Sequence, residues 1–119
     1  MTSRDALIAM SRTVHEALRA WAAAPGQRDI PPWTRAPAWM KTSTEESVLF
    51  TLHHPDADAG AQHDQWVAQK LEAGWAYGKT KDEAAKTPPM KKPFNDLPEF
   101  EQRKDALVRA IVLALSDDV

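Results

Sequence analysis

The sequence contains no cysteine. That absence excludes a disulfide framework, a thiolate zinc site and a cysteine nucleophile together. Glycine is scarce, with four in 119 residues and none in a phosphate-cradling repeat, so any phosphate contact must come from side chains or a helix N-terminus. No run approaches the roughly 20 apolar residues needed to span a bilayer. The opening Met1-Thr2-Ser3-Arg4-Asp5 is polar where a signal peptide would carry an apolar segment, so a cytoplasmic location is expected. Neither sign of charge dominates. A formal net charge of −2 leaves no basic face for non-specific binding to nucleic acid. Apolar and charged fractions of 43% and 27% fit a single globular domain with a modest core.

What the chain does have in excess is tryptophan and proline, five and nine respectively. Trp33, Trp39 and Trp75 lie close to prolines or glycine rather than inside a helical stripe. Rings held on rigid loops pack as lids on a core or form the walls of a pocket. Lys79, Lys81, Lys86, Lys91 and Lys92 crowd one connecting segment, opposed there only by Asp82 and Glu83. This cluster reads either as a solvated loop or as a positive rim for an anionic small molecule.

Hydrophobic spacing predicts a mainly α fold, about four helices with proline-rich irregular connections. The first helix is expected over Arg4 to Ala23, capped by Ser3, with Leu7, Met10, Val14, Leu18 and Trp21 as its buried stripe. Pro25-Gly26 ends it, and residues 26–42 form an ordered, extended connection. Ser43-Thr44-Glu45-Glu46 has the form of a capping box opening a short second helix that stops before Pro55. A third helix over Ala61 to Ala73 closes at Gly74 and places His63, Trp66, Val67, Lys70 and Leu71 on one face. Lys70 is expected to lay its stem on the core and keep its ammonium in water. The last helix begins near Leu97 behind an Asp96-x-x-Glu99 box, with Phe100, Leu107, Ile111 and Leu115 turned inward. From Leu107 to Leu115 only Arg109 is polar, and a helix apolar on all faces needs cover on all sides. A homodimer through Leu107–Leu115 is the expected cover.

Within residues 60–106 rare residues stand at fixed offsets. His63-x-x-Trp66 is followed by Lys70, then by Gly74-Trp75-x-Tyr77-Gly78. Pro89-x-x-x-Pro93-Phe94, Leu97-Pro98-x-x-Glu101 and a closing Asp105 complete the string. The pattern resembles the ryanodine-receptor repeat, or RyR domain, of the small bacterial or phage type. This motif core lies behind an N-terminal helix and Pro/Trp loop (residues 4–59) that match the pattern only loosely. Phe94 stands where the family usually has Tyr, Pro88 where His is common, and Lys104 where an aromatic is common. The resemblance implies a recognition module, since the pore of the channels that carry paired repeats lies elsewhere. It further implies sites for adenine nucleotides and drug-like aromatics with tryptophans as stacking surfaces.

The residues weigh the same way. Trp66, Trp75 and Tyr77 can sandwich a base, while Lys70, Lys79 and Lys92 can meet phosphates. Trp66 and Trp75 can equally be fold-defining core residues. His63 either contacts the ligand or fixes the preceding loop through a backbone carbonyl. His53, His54, Asp56, Asp58, His63 and Asp64 form a dense patch that reads as a solvated helix cap rather than a metal site. His63-Asp64 is similar to the His-Asp pair of HD phosphohydrolases, whose further ligands have no counterpart here. Glu45 with Glu46, and Asp56 with Asp58, sit too close in sequence to share a helix face, and no serine or threonine has His and Asp partners at suggestive spacing. No catalysis and no cofactor are expected. The expected function is non-catalytic recognition of a nucleotide or nucleotide-derived molecule through His63, Trp66, Lys70, Trp75, Tyr77, Lys79 and Lys92, in a cleft beside the lysine-rich segment. The alternative is a protein-interaction module acting through Trp33, Trp39 and the apolar last helix.

Overall fold

The computed structural model describes residues 3–72, 95 and 97–116. Among the described residues four α-helices carry the fold, α1 (Arg4–Ala23), α2 (Ala38–His53), α3 (Ala59–Glu72) and α4 (Glu99–Ser116), with a 3-10 turn at Trp33–Arg35. No strand occurs among the described residues, so the protein is mainly α.

α1 has the bounds its sequence predicts. Ser3 Oγ accepts from the Ala6 N–H at 3.1 Å, which satisfies one of the orphan donors of the first turn. At the other end Gln27 N–H donates to Ala22 O and Gly26 N–H to Ala23 O, the paired bonds of a Schellman turn. That turn needs a left-handed residue, and Gly26 supplies it with φ of 112°. The connection that follows is fastened to α1. His15 Nε2 lies 2.7 Å from Pro31 O; a carbonyl only accepts, so Nε2 carries the proton. Arg19 Nε donates to Ile30 O, and Trp33 is buried with its ring edge against His15.

α2 begins at Ala38, five residues before the expected start. Pro37 is extended and its carbonyl accepts from the N–H groups of Met40 and Lys41. Nothing in Ala38–Thr42 interrupts a helix, so it propagates back to the proline. The apparent capping box is thereby internal. Ser43 Oγ donates to Gln69 Oε1, and Gln69 Nε2 donates to Glu46, so two of its residues tie α2 to α3. α2 stops before Pro55 as predicted. Asp58 caps α3, its Oδ1 accepting from Ala61 N–H at 2.8 Å. α4 opens at Glu99, slightly later than expected, with Pro98 O accepting from Glu101 and Gln102. Asp96 and Gly74 lie outside the described residues.

α4 packs against each of the other three helices. Its wholly buried apolar residues are Val108 and Val112; of the expected inner stripe, Ile111 and Leu115 are half-buried and pack against the core, and Leu107 is half-buried. Phe100 is half-buried too, stacked on Trp21 at 4.8 Å, and the indole N–H of Trp21 donates to Phe100 O. Val108 and Val112 join Leu7, Met10, Val14 and Val48 in the core. The one polar residue between Leu107 and Leu115 is buried with them. Arg109 is 6% exposed; Nη2 donates to His54 O at 2.7 Å and Nη1 to Gln62 Oε1 at 3.0 Å. His54 O closes the C-terminal end of α2, where backbone carbonyls carry partial negative charge. Gln62 is itself held at both ends, with Nε2 donating to Ser47 O and Oε1 also accepting from the Thr51 hydroxyl. The chain's own helices therefore supply much of the cover that the apolar pattern of α4 demands. No helix among the described residues is long and apolar enough to cross a membrane.

Candidate functional site

A cavity of about 330 Å³ opens between the four helices. The spacing of His63, Trp66 and Lys70 puts all three on one face of α3, and that face lines the cavity. Two further walls come from the N-terminal half: Val14, His15 and Leu18 from α1, and Trp39 and Met40 from α2. Glu101, Lys104, Asp105 and Val108 of α4 close the remaining side.

Lys70 is 5% exposed, so its ammonium is not in bulk water as the sequence pattern predicted. Nζ lies 4.7 Å from the ring centroid of Trp39 and 5.7 Å from that of Trp66. Both distances are within cation–π range, and such contacts strengthen as the cation is desolvated. Trp39 explains the difference. It belongs to another helix, so the periodicity of α3 carries no trace of it.

His63 is 4% exposed. Its ring stacks near Trp66 with centroids 6.0 Å apart, and Nδ1 lies 3.5 Å from Asp105 Oδ2. Burial pushes the Asp105 carboxyl above the ordinary aspartate value, the His63 contact and charge and Lys104 oppose that rise, and Glu101 adds to it. Lys104 in turn pairs with Glu101 at 2.9 Å.

Of the site residues predicted from sequence, His63, Trp66 and Lys70 are brought together here. Trp75, Tyr77, Lys79 and Lys92 lie outside the described residues, as does the lysine-rich segment. Trp39 and Asp105 were missed. Trp39 carried a signal in its rigid, proline-flanked setting; Asp105 carried one in its fixed offset from the rest of the motif. One expectation is corrected: Trp33 and Trp39 are not exposed rings, since Trp33 is 8% exposed and Trp39 is half-buried on the cavity wall. The residues of the His/Asp patch serve separate local roles. Asp58 caps α3, His54 stacks on Phe50, and His63 turns inward to Asp105. Among the described residues no three His, Asp or Glu side chains converge as a metal site would require.

The family model of the RyR domain matches residues 51–114. The match runs from the end of α2 to the last turn of α4 and takes in His63, Trp66, Lys70 and Asp105, leaving α1 and Trp39 before it. It spans more than half of the sequence, and the chain belongs to the RyR domain family.

Proposed function

We propose that the protein is a non-catalytic recognition module that holds a nucleotide or nucleotide-derived small molecule in the central cavity. The observation that carries this reading is the cavity wall where Trp39 and Trp66 flank Lys70, with the His63–Asp105 pair beside them. Indole rings offer stacking surfaces worth about 1–3 kcal/mol per base, and a desolvated ammonium is a strong anchor for an electron-rich or anionic group. The hydroxyls nearest the cavity speak against nucleophilic chemistry. Ser43 is engaged with Gln69, and Thr44 bonds back to Met40 O. Neither is paired with His63 as a base-activated nucleophile would be.

Thermal unfolding against nucleotides, cyclic nucleotides and ADP-ribose-type compounds tests the proposal, with tryptophan fluorescence as a second readout. A compound present at about 100 times its Kd should stabilise the fold by about 2.7 kcal/mol, a rise of several degrees in Tm. Trp39→Leu should abolish that rise while retaining the helical signal. A flat panel on folded protein, or full binding by Trp39→Leu, refutes the reading.

A further inference from the structure

Resting on the cavity as a ligand site, though not on its ligand being a nucleotide, we infer that His15 is a ligand-contacting residue whose Nδ1 accepts a hydrogen bond from a hydroxyl or N–H of the bound molecule. A determinant of selectivity then lies on α1, ahead of the segment 51–114 that the family model matches. The imidazole is 4% exposed and stands on the cavity wall beside Val14, Leu18, Ile30 and Met40. Those neighbours are apolar. A small-molecule site is usually built in this way, from apolar walls with a few placed polar groups that orient the ligand.

Fastening the connection after α1 accounts for one ring nitrogen only. Nε2 donates to Pro31 O at 2.7 Å, which fixes the tautomer and makes Nδ1 of the neutral ring an acceptor. Among the described residues the bond to Pro31 O is the ring's one hydrogen bond. Nδ1 is therefore the polar atom that the imidazole has left for the cavity it lines. A buried acceptor without a donor carries its full desolvation cost, and a ligand that donates removes that cost. The ring is also held still. Trp33 meets it edge-on with centroids 5.7 Å apart. Trp33 and Pro31 belong to one connection, which Arg19 Nε ties down again at Ile30 O. An acceptor aimed before binding loses no freedom when the ligand arrives. A site of this kind discriminates against an analogue that lacks the donor, because the acceptor then stays unpaired.

Phenol and anisole test this. They share an aromatic ring small enough for a cavity of about 330 Å³, and only phenol donates a hydrogen bond. Titrations at about pH 8, above the ordinary imidazole range, follow tryptophan fluorescence of the full chain. Phenol should bind the wild-type protein about 3- to 10-fold tighter than anisole. Two variants separate the ligand role from the fastening role. In His15→Gln an amide N–H can still reach Pro31 O, but no acceptor stands where Nδ1 was. Its Tm should stay near that of wild type, and phenol should lose its advantage. His15→Asn keeps an oxygen near the Nδ1 position and cannot reach Pro31 O, so Tm should fall while phenol stays preferred. Equal binding of the two probes to wild type, or a preference that survives in His15→Gln, overturns the role of His15. Should His15→Gln fail to fold, spectra of 15N-histidine-labelled wild-type chain decide: phenol must shift the Nδ1 signal of His15, and a signal unmoved by phenol refutes the contact. A preference for phenol beside a flat nucleotide panel removes the nucleotide reading and leaves His15 standing. A nucleotide that binds His15→Gln as tightly as wild type does the reverse.

Discussion

The node formed by Arg109, Gln62 and His54 O predicts an asymmetry between two single substitutions. In Gln62→Leu the guanidinium of Arg109 stays buried at 6% exposure but loses the amide oxygen 3.0 Å from Nη1, leaving His54 O as its acceptor. Leaving a buried donor unsatisfied costs about 1–3 kcal/mol for a neutral group and more for a charged one, so about 3 kcal/mol or more is expected here. In Arg109→Met the charge leaves with its hydrogen bonds. An apolar side chain of similar length fills the space, and Gln62 keeps its contacts to Ser47 O and Thr51. The His54 carbonyl loses a partner at the edge of the core, so the cost falls to about 1–3 kcal/mol. The double variant should be less destabilised than the sum of the two, because the stranded charge is absent. Urea unfolding followed by far-UV circular dichroism measures all four chains, with equal m values as the check that the folded states match. If Arg109→Met costs as much as Gln62→Leu, or if the two costs add, the buried guanidinium is not held through Gln62 and the reasoning fails.

Further expectations concern Asp105, Gly26 and the surface of α4. Burial raises the carboxyl of Asp105 above its ordinary 3.8, against the pull of His63 and Lys104. Its contribution to stability is therefore full below that value and lost as pH rises through the folded-state value. Asp105→Asn cannot ionise, so its stability relative to wild type should improve as pH is raised from about 4 to 7; a difference that is flat or falls with pH contradicts this. Gly26→Ala places a side chain at φ +112° with nothing within 4 Å of the new Cβ, so the cost is conformational alone, about 1–2 kcal/mol. Calorimetry showing no loss would refute the left-handed turn. We propose that two copies pair across the outward face of α4, where Ala106, Ala110 and Ala114 are exposed; a monomeric mass by sedimentation at tens of micromolar rules that out.

Much of this molecule is written locally. The cap at Ser3, the stop at Pro25-Gly26 and the stripe of Leu7, Met10 and Val14 depend on residues within a few positions of one another, and each forms as read. The shared face of His63, Trp66 and Lys70 is equally local, because helical geometry alone aligns residues three and seven apart. Signals that depended on a choice between partners were misread. Ser43 and Glu46 have the spacing of a capping box, yet both serve Gln69 across a helix interface. Between Leu107 and Leu115 α4 carries apolar residues on every side, so the pattern there did not single out Val108 and Val112 as the most deeply buried.

By itself, then, the sequence determined the helical class, the ends of α1, the family motif and the alignment of three site residues on α3. Only the tertiary structure decided which way α4 turns, that Lys70 is withdrawn from water between two indoles, and that His63 meets Asp105. The physical reason is the range of the forces concerned. Caps, turns and stripes are fixed by bonds within one helical turn, whereas Arg109, on the helix that carries the far wall of the cavity, finds its acceptors 47 and 55 residues away.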